Sequence, residues 1–181
     1  MRLLFSCYPR HMQKGTLMKL ASHIAIGVTD LERSLAFYRD ALGMTVIRDA
    51  TNEPPADSLY GPGVGSTRRH EVMLRFGGND GEGYGDRLFL AISQSDELAG
   101  NMPLHLGQIG IHHIGFWVDD IPALATRLRV AGYEPVSVKG TTGVGYGESA
   151  DQPMRAMFVK DPDGTILQFD ERVSVPADGC C

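Results

Sequence analysis

The sequence predicts an α+β fold: two tandem βαβββ modules forming a cupped, barrel-like pair of sheets with helices outside. Three observations predict it. One phrase occurs twice, as His23-Ile-Ala-Ile-Gly-Val-Thr-Asp-Leu and as His113-Ile-Gly-Phe-Trp-Val-Asp-Asp-Ile. The copies start 113 − 23 = 90 residues apart, about half of a 181-residue chain, and self-similarity at a long offset marks a repeated supersecondary unit. Each copy alternates as a half-buried strand does, and an aspartate then opens a stretch with helical spacing.

The elements follow in order. Residues 1–17 carry no periodic pattern and read as a loose N-terminal extension. The first module spans 18–93. In the strand 21–28, Ile24, Ile26 and Val28 point one way and His23, Ala25 and Gly27 the other. Asp30 is a good N-cap, Leu31, Leu35, Tyr38 and Leu42 keep helical spacing, and Gly43 stops the helix. Residues 44–48 read as a short strand, and 51–67, rich in Gly and Pro, as a long loop. Residues 70–76 and 87–92 read as strands joined through a Gly-rich connection. A polar linker, 94–110, leads into the second module, 111–172. There the strand 111–118 precedes a helix capped by Asp120, with Ile121, Ala125 and Leu128 on its buried face and Gly132 as its stop. Strand 133–139, a Gly-rich loop over 140–147, and a hairpin of 155–159 with 165–170 complete the module. Asp161-Pro162-Asp163-Gly164 suits the hairpin turn, with Gly supplying positive φ. Residues 173–181 read as a flexible tail.

Composition narrows the function classes. Hydrophobic residues make up 43% and charged residues 22%, which suits a globular domain. A net charge of −5 argues against nucleic acid, which selects a basic stripe. No apolar run is long enough for a bilayer, and Leu3-Leu4-Phe5-Ser6-Cys7 is too short for a signal-peptide core. Three cysteines, two of them adjacent at Cys180 and Cys181, make no disulfide framework. The expectation is a cytoplasmic protein without a membrane or nucleic-acid partner.

The phrases His23-Ile-Ala-Ile, Phe37-Tyr38 through Leu42-Gly43, Gly110 through Ile121, and Phe158-Val159-Lys160-Asp161-Pro162-Asp163-Gly164 occur in an order that resembles the vicinal oxygen chelate superfamily. That family includes glyoxalase I, methylmalonyl-CoA epimerase, extradiol dioxygenases and bleomycin-resistance proteins. The resemblance covers residues 18–172. It implies a metal ligand at the head of each module's first strand and another on each last strand. Carried onto this chain, these are His23 and His113, with Gln168 on the last strand of the second module. Aligning Leu167-Gln168-Phe169 with Leu88-Phe89-Leu90 makes Phe89 the counterpart of Gln168. Strand alternation agrees with a common facing, because Leu167 and Phe169 take the helix side and leave Ile166, Gln168 and Asp170 in the cup.

The resemblance thus implies one divalent metal ion (Fe, Ni, Zn, Mn or Co) held by His23, His113 and Gln168, acting on a small molecule with adjacent oxygen atoms. Asp170 or Glu71 are candidates for the missing negative charge. Phe89, Trp117, Tyr146 and Arg155 are candidate substrate contacts: two aromatic walls, a hydroxyl over the mouth and a clamp for an anion. His112 is expected to face the other side. With no last-strand carboxylate, the base of a standard glyoxalase I or epimerase mechanism is missing. A lyase, an oxygenase-like use of the metal, and a metal-free binding protein of the bleomycin-resistance type stay open. Family modules often pair across chains, so a homodimer is an expected partner arrangement.

Overall fold

The structure is a computed structural model that describes residues 21–52, 68–76, 88–96, 109–138, 143–147, 149 and 151–173. The expected N-terminal extension, most of the expected loop over 51–67, the Gly-rich connection before residue 88, most of the linker and the tail lie outside these residues. Among these residues, eight strands form two four-stranded sheets. The first contains β1 (His23–Gly27), β2 (Thr45–Asn52), β3 (Arg69–Arg75) and β4 (Phe89–Ser95), in the order β1-β4-β3-β2. The second contains β5 (His113–Trp117), β6 (Val136–Val138), β7 (Met154–Lys160) and β8 (Ile166–Arg172), in the order β5-β8-β7-β6. In each sheet the first strand runs parallel to the last and the other pairs are antiparallel. The tandem βαβββ order is therefore as expected. The sheets remain two open units and do not close into a barrel.

The helices start where the aspartates place them. Asp30 accepts from the Arg33 N–H at 2.9 Å and Asp120 from the Ala123 N–H at 2.8 Å, each satisfying one of the unpaired donors of a first turn. A second device recurs. The Leu31 N–H donates to Gln94 Oε1 at 2.9 Å on β4, and the Ile121 N–H to Glu171 Oε2 at 2.8 Å on β8. Helix α2 (Ile121–Val130) buries Ile121, Ala125 and Leu128. It ends at Gly132, whose φ of 88° is ready for a left-handed stop.

Helix α1 (Leu31–Leu35) departs from the expected spacing. It continues as a π-helical turn over Ala36–Ala41, in which the Leu42 N–H reaches back five residues to the Phe37 carbonyl at 2.9 Å. The wider turn buries Phe37 and Tyr38 together, while Leu42 is only half-buried. Strand β2 is also longer than expected, because residues 49–52 pair with β3 after a bulge between Val46 and Arg48. Strand β6 is shorter, three residues rather than the seven expected over 133–139.

One core runs through both modules on the helix side of the sheets. Leu90, Ile92, Val72, Leu74, Phe37, Tyr38, Leu128, Leu167 and Phe169 belong to the same cluster. Phe37 meets Tyr133 edge-on at 4.6 Å, and Phe76 lies 5.2 Å from Phe116. A polar joint reinforces the contact. The Tyr38 hydroxyl donates to Asp161 Oδ2 at 2.8 Å, and Asp161 Oδ1 accepts from the N–H groups of Asp163 and Thr165 at 3.0 and 2.7 Å. Asp163 accepts in turn from the Thr29 N–H and from Arg33, at 2.9 and 2.7 Å. The hairpin turn of the second module is therefore fastened to the helix start of the first.

Candidate functional site

With the helix sides sharing a core, the opposite faces of both sheets lie open. His23, Ala25 and Gly27 are exposed on β1, as are Gly115 and Trp117 on β5. A Cβ added at Gly27 or Gly115 would meet nothing within 4 Å. The alternation expected from the sequence holds: Leu90, Ile92, Leu167 and Phe169 pack in the core, and Phe89, Ala91, Ile166, Gln168 and Asp170 take the other side.

The pairing register corrects one assignment. His23 pairs with Phe89, and Ala25 with Ala91. In the second sheet His113 pairs with Ile166, and Gly115 with Gln168. Aligning the two histidines therefore makes Ile166 the counterpart of Phe89, and Ala91 the counterpart of Gln168. The expected equivalence of Phe89 with Gln168 is two residues out. A two-residue slide leaves every side chain on its original face, so apolar alternation cannot detect it. Neither Ala91 nor Gln168 is a carboxylate.

Each candidate then has a place. The His23 ring stacks on Phe89 with centroids 5.1 Å apart, and its Nδ1 lies 2.9 Å from the Ser22 hydroxyl. His113 Nδ1 lies 2.6 Å from His112 Nδ1, so His112 does not turn away from the site as expected. One of these nitrogens must donate and the other accept. The tautomer of His113 that leaves Nε2 bare carries its proton on Nδ1 and donates to His112. Such a second contact orients an imidazole for a cation.

Trp117 is 48% exposed and lies 4.9 Å from Tyr146, between centroids, with the Arg172 guanidinium 3.8 Å over its ring. This is a cation–π contact. Gln168 Nε2 donates to the Tyr146 hydroxyl at 2.9 Å and to both oxygens of Asp170 at 3.0 Å. Tyr146 also feels the nearby Asp170 carboxylate. Its pKa is pushed up to about 12 by partial burial first, then by the hydrogen bond and charge of Asp170.

Arg155 is the candidate that the structure removes from this face. It follows Met154 and precedes Ala156, whose partner is Asp170, so it projects to the opposite side and ion-pairs Glu171 at 2.8 Å. The expectation of an anion clamp overlooked the alternation of β7. It is Glu171, bridging Arg155 and the start of α2, that holds this arginine.

The open face of the first sheet carries a charge network that the sequence did not suggest. Glu71, nearly buried, accepts from Arg48 Nη1 at 3.1 Å and from Asn52 Nδ2 at 3.2 Å, with Arg69 Nη2 at 3.4 Å. Two strands bring these side chains together only through the register of β2 on β3, which no local motif encodes. Among the described residues no three His, Cys, Asp or Glu side chains gather as a ready-made metal cluster. The groups that fit a cation are the two strand-head imidazoles and the amide oxygen of Gln168, on two separate open faces.

The comparisons agree with this architecture. A probable lactoylglutathione lyase from Vibrio parahaemolyticus is 30% identical over 147 residues, covering 81% of this chain and 86% of the relative. A lactoylglutathione lyase from Haemophilus influenzae is 30% identical over 155 residues, covering 84% and 92%. In fold, the crystal structure of a glyoxalase family protein from Bacillus cereus matches with a TM-score of 0.63 at 18% identity, over 90% of this chain and 99% of that one. A fosfomycin resistance protein from Listeria monocytogenes matches with a TM-score of 0.54 at 17% identity, over 87% and 94%. The profile of one family matches residues 21–169, nearly all of the described fold. The chain belongs to the Glyoxalase/Bleomycin resistance protein/Dioxygenase superfamily.

Proposed function

We propose that the protein is a metal-dependent enzyme acting on a small molecule with adjacent oxygen atoms, with His23, His113 and Gln168 as the cation's ligands. The observation that carries this reading is the pair of imidazoles at register-equivalent heads of β1 and β5, each on an uncovered face. A bound divalent cation would supply Lewis-acid polarisation of a chelated oxygen pair. The chain's own residues would do the rest: Trp117 and Phe89 wall the substrate, and the Tyr146 hydroxyl, neutral well above physiological pH, offers a hydrogen bond. The relatives named lactoylglutathione lyase make a hemithioacetal the first substrate class to test.

A homodimer belongs to the same reading. His23 and Trp117 lie on exposed faces, and a second copy laid face to face would bring imidazoles together and exclude water. A second reading, metal-free small-molecule binding, is favoured by the carboxylates. Glu71 is taken up by Arg48, Arg69 and Asn52, and Asp170 by Gln168 and Tyr146.

Metal content separates the two. Protein purified without a histidine tag is expected to carry a stoichiometric divalent metal, lost in His23→Ala and in His113→Ala. Equal, near-zero metal in all three would sink the enzyme reading. If metal is present, turnover of a hemithioacetal against a catechol in air sorts lyase from oxygenase.

A further inference from the structure

Gln168 is anchored by one end. Its Nε2 meets the Tyr146 hydroxyl at 2.9 Å and the two Asp170 oxygens at 3.0 Å. A carboxylate offers only acceptors, so the Gln168 atom against Asp170 must be the amide nitrogen. The carbonyl oxygen Oε1 is then the end left for a ligand. Asp170 itself is 5% exposed, and a buried carboxylate persists only with hydrogen-bonding partners. The amide of Gln168 is such a partner, and the Tyr146 hydroxyl accepts from the same nitrogen, which ties the orientation of Gln168 to the stability of the sheet. The first sheet has no equivalent, since the register-matched positions there are Ala91 and Ser93.

We propose that Asp170 and Tyr146 are positioning residues that lock Gln168 with its carbonyl oxygen outward, presenting a neutral oxygen donor with a carboxylate one hydrogen bond behind it. This rests on the reading of Gln168 as a cation ligand. A carboxylate hydrogen-bonded to the amide nitrogen raises the basicity of the carbonyl oxygen, as outer partners of metal ligands do. The arrangement supplies negative charge near the cation without a charged ligand. A free glutamine at this position would present nitrogen or oxygen with little preference.

Two measurements on the whole chain test the proposal and keep it distinct from the metal reading. In metal-stripped protein, the side-chain NH₂ resonances of Gln168 are identified by their loss in Gln168→Ala. They are expected to be displaced and protected from exchange in the wild type, and to move toward free-amide positions in Asp170→Ala and Tyr146→Phe. Zn²⁺ titration by calorimetry is expected to weaken by roughly 10–100-fold in Asp170→Ala and by less in Tyr146→Phe. Tyr146 is a half-exposed surface position, so Tyr146→Phe carries the test even where Asp170→Ala folds poorly. An unprotected Gln168 amide in the wild type overturns the proposal, whatever the protein does with zinc. So does a protected amide with zinc affinity unchanged in both variants. A protected amide in a wild-type protein that binds no Zn²⁺ overturns the ligand-orienting role through failure of the metal reading, and leaves the array as a sheet-stabilising contact.

Discussion

On the open face of the first sheet, Glu71 gathers Arg48, Arg69 and Asn52; on that of the second, Asp170 gathers Gln168 and Tyr146 beside Trp117. The backbones beneath these faces share strand order and strand directions. Where a side chain packs in the core, the repeat keeps its character: Leu90 matches Leu167, and Ile92 matches Phe169. Where it accepts from the first helical N–H, Gln94 matches Glu171. Where it faces outward, Ala91 matches Gln168, Ser93 matches Asp170 and Gly27 matches Trp117. Packing and unpaired backbone donors constrain the first two groups of positions, because voids and unmet hydrogen bonds are costly. The outward group answers neither to the shared core nor to a helix start, so the duplicated frame carries unlike chemistry.

The strongest challenge to this comparison comes from the core they share. Leu90 and Leu167 are register equivalents and fully buried, so Leu90→Ala and Leu167→Ala should each cost about 2–5 kcal/mol. Both are expected to lower one common transition in denaturant unfolding, because a single cluster spans the modules. Two separable transitions would break the picture of one cooperative unit.

The polar joint comes next. Tyr38→Phe removes the donor to the buried Asp161 carboxylate, a loss of about 1.5–3 kcal/mol for a hydrogen bond to a charged group. Thermal unfolding of the variant measures it, and an unchanged midpoint would mean that the joint adds nothing to the fastening of the modules.

A smaller change sharpens the cap comparison. Glu171→Gln makes the second module imitate the first, keeping an acceptor for the Ile121 N–H while removing the charge that faces Arg155 and the helix start. The expected cost is about 1 kcal/mol, read by urea unfolding. A much larger loss would show that the charge, not the hydrogen bond, holds the second helix start.

The smallest effect is in pH dependence at the open face. The Tyr146 pKa is raised to about 12 from an unfolded value of about 10, so the folded state favours the neutral hydroxyl. That contribution is complete below about pH 10 and is lost as pH rises toward 12. Phenolate absorbance of the wild type minus Tyr146→Phe should therefore show one tyrosine titrating late. A midpoint near 10 would remove the Asp170 contact from the account.

Much of the fold was legible in the residues. His23 and His113 open matched strands, Asp30 and Asp120 cap helices, and Gly43, Gly132 and Gly164 take positive φ where turns need it. These signals are local: a period of two, a side-chain acceptor, a missing Cβ. The π-helical turn after Leu35 was not legible, since burying Phe37 and Tyr38 together depends on the partner surface they meet. Arg155 was misjudged because its partner, Glu171, lies on a neighbouring strand.

By itself the sequence determined the repeat, the order of elements and the facing of β1, β4, β5 and β8, because each copy spells them out in its own local pattern. The tertiary structure alone decided which residue of β4 corresponds to Gln168, and which charges meet on each open face. Those depend on hydrogen-bond register between distant strands, and a slide of two residues changes every cross-strand neighbour while leaving the periodic pattern untouched.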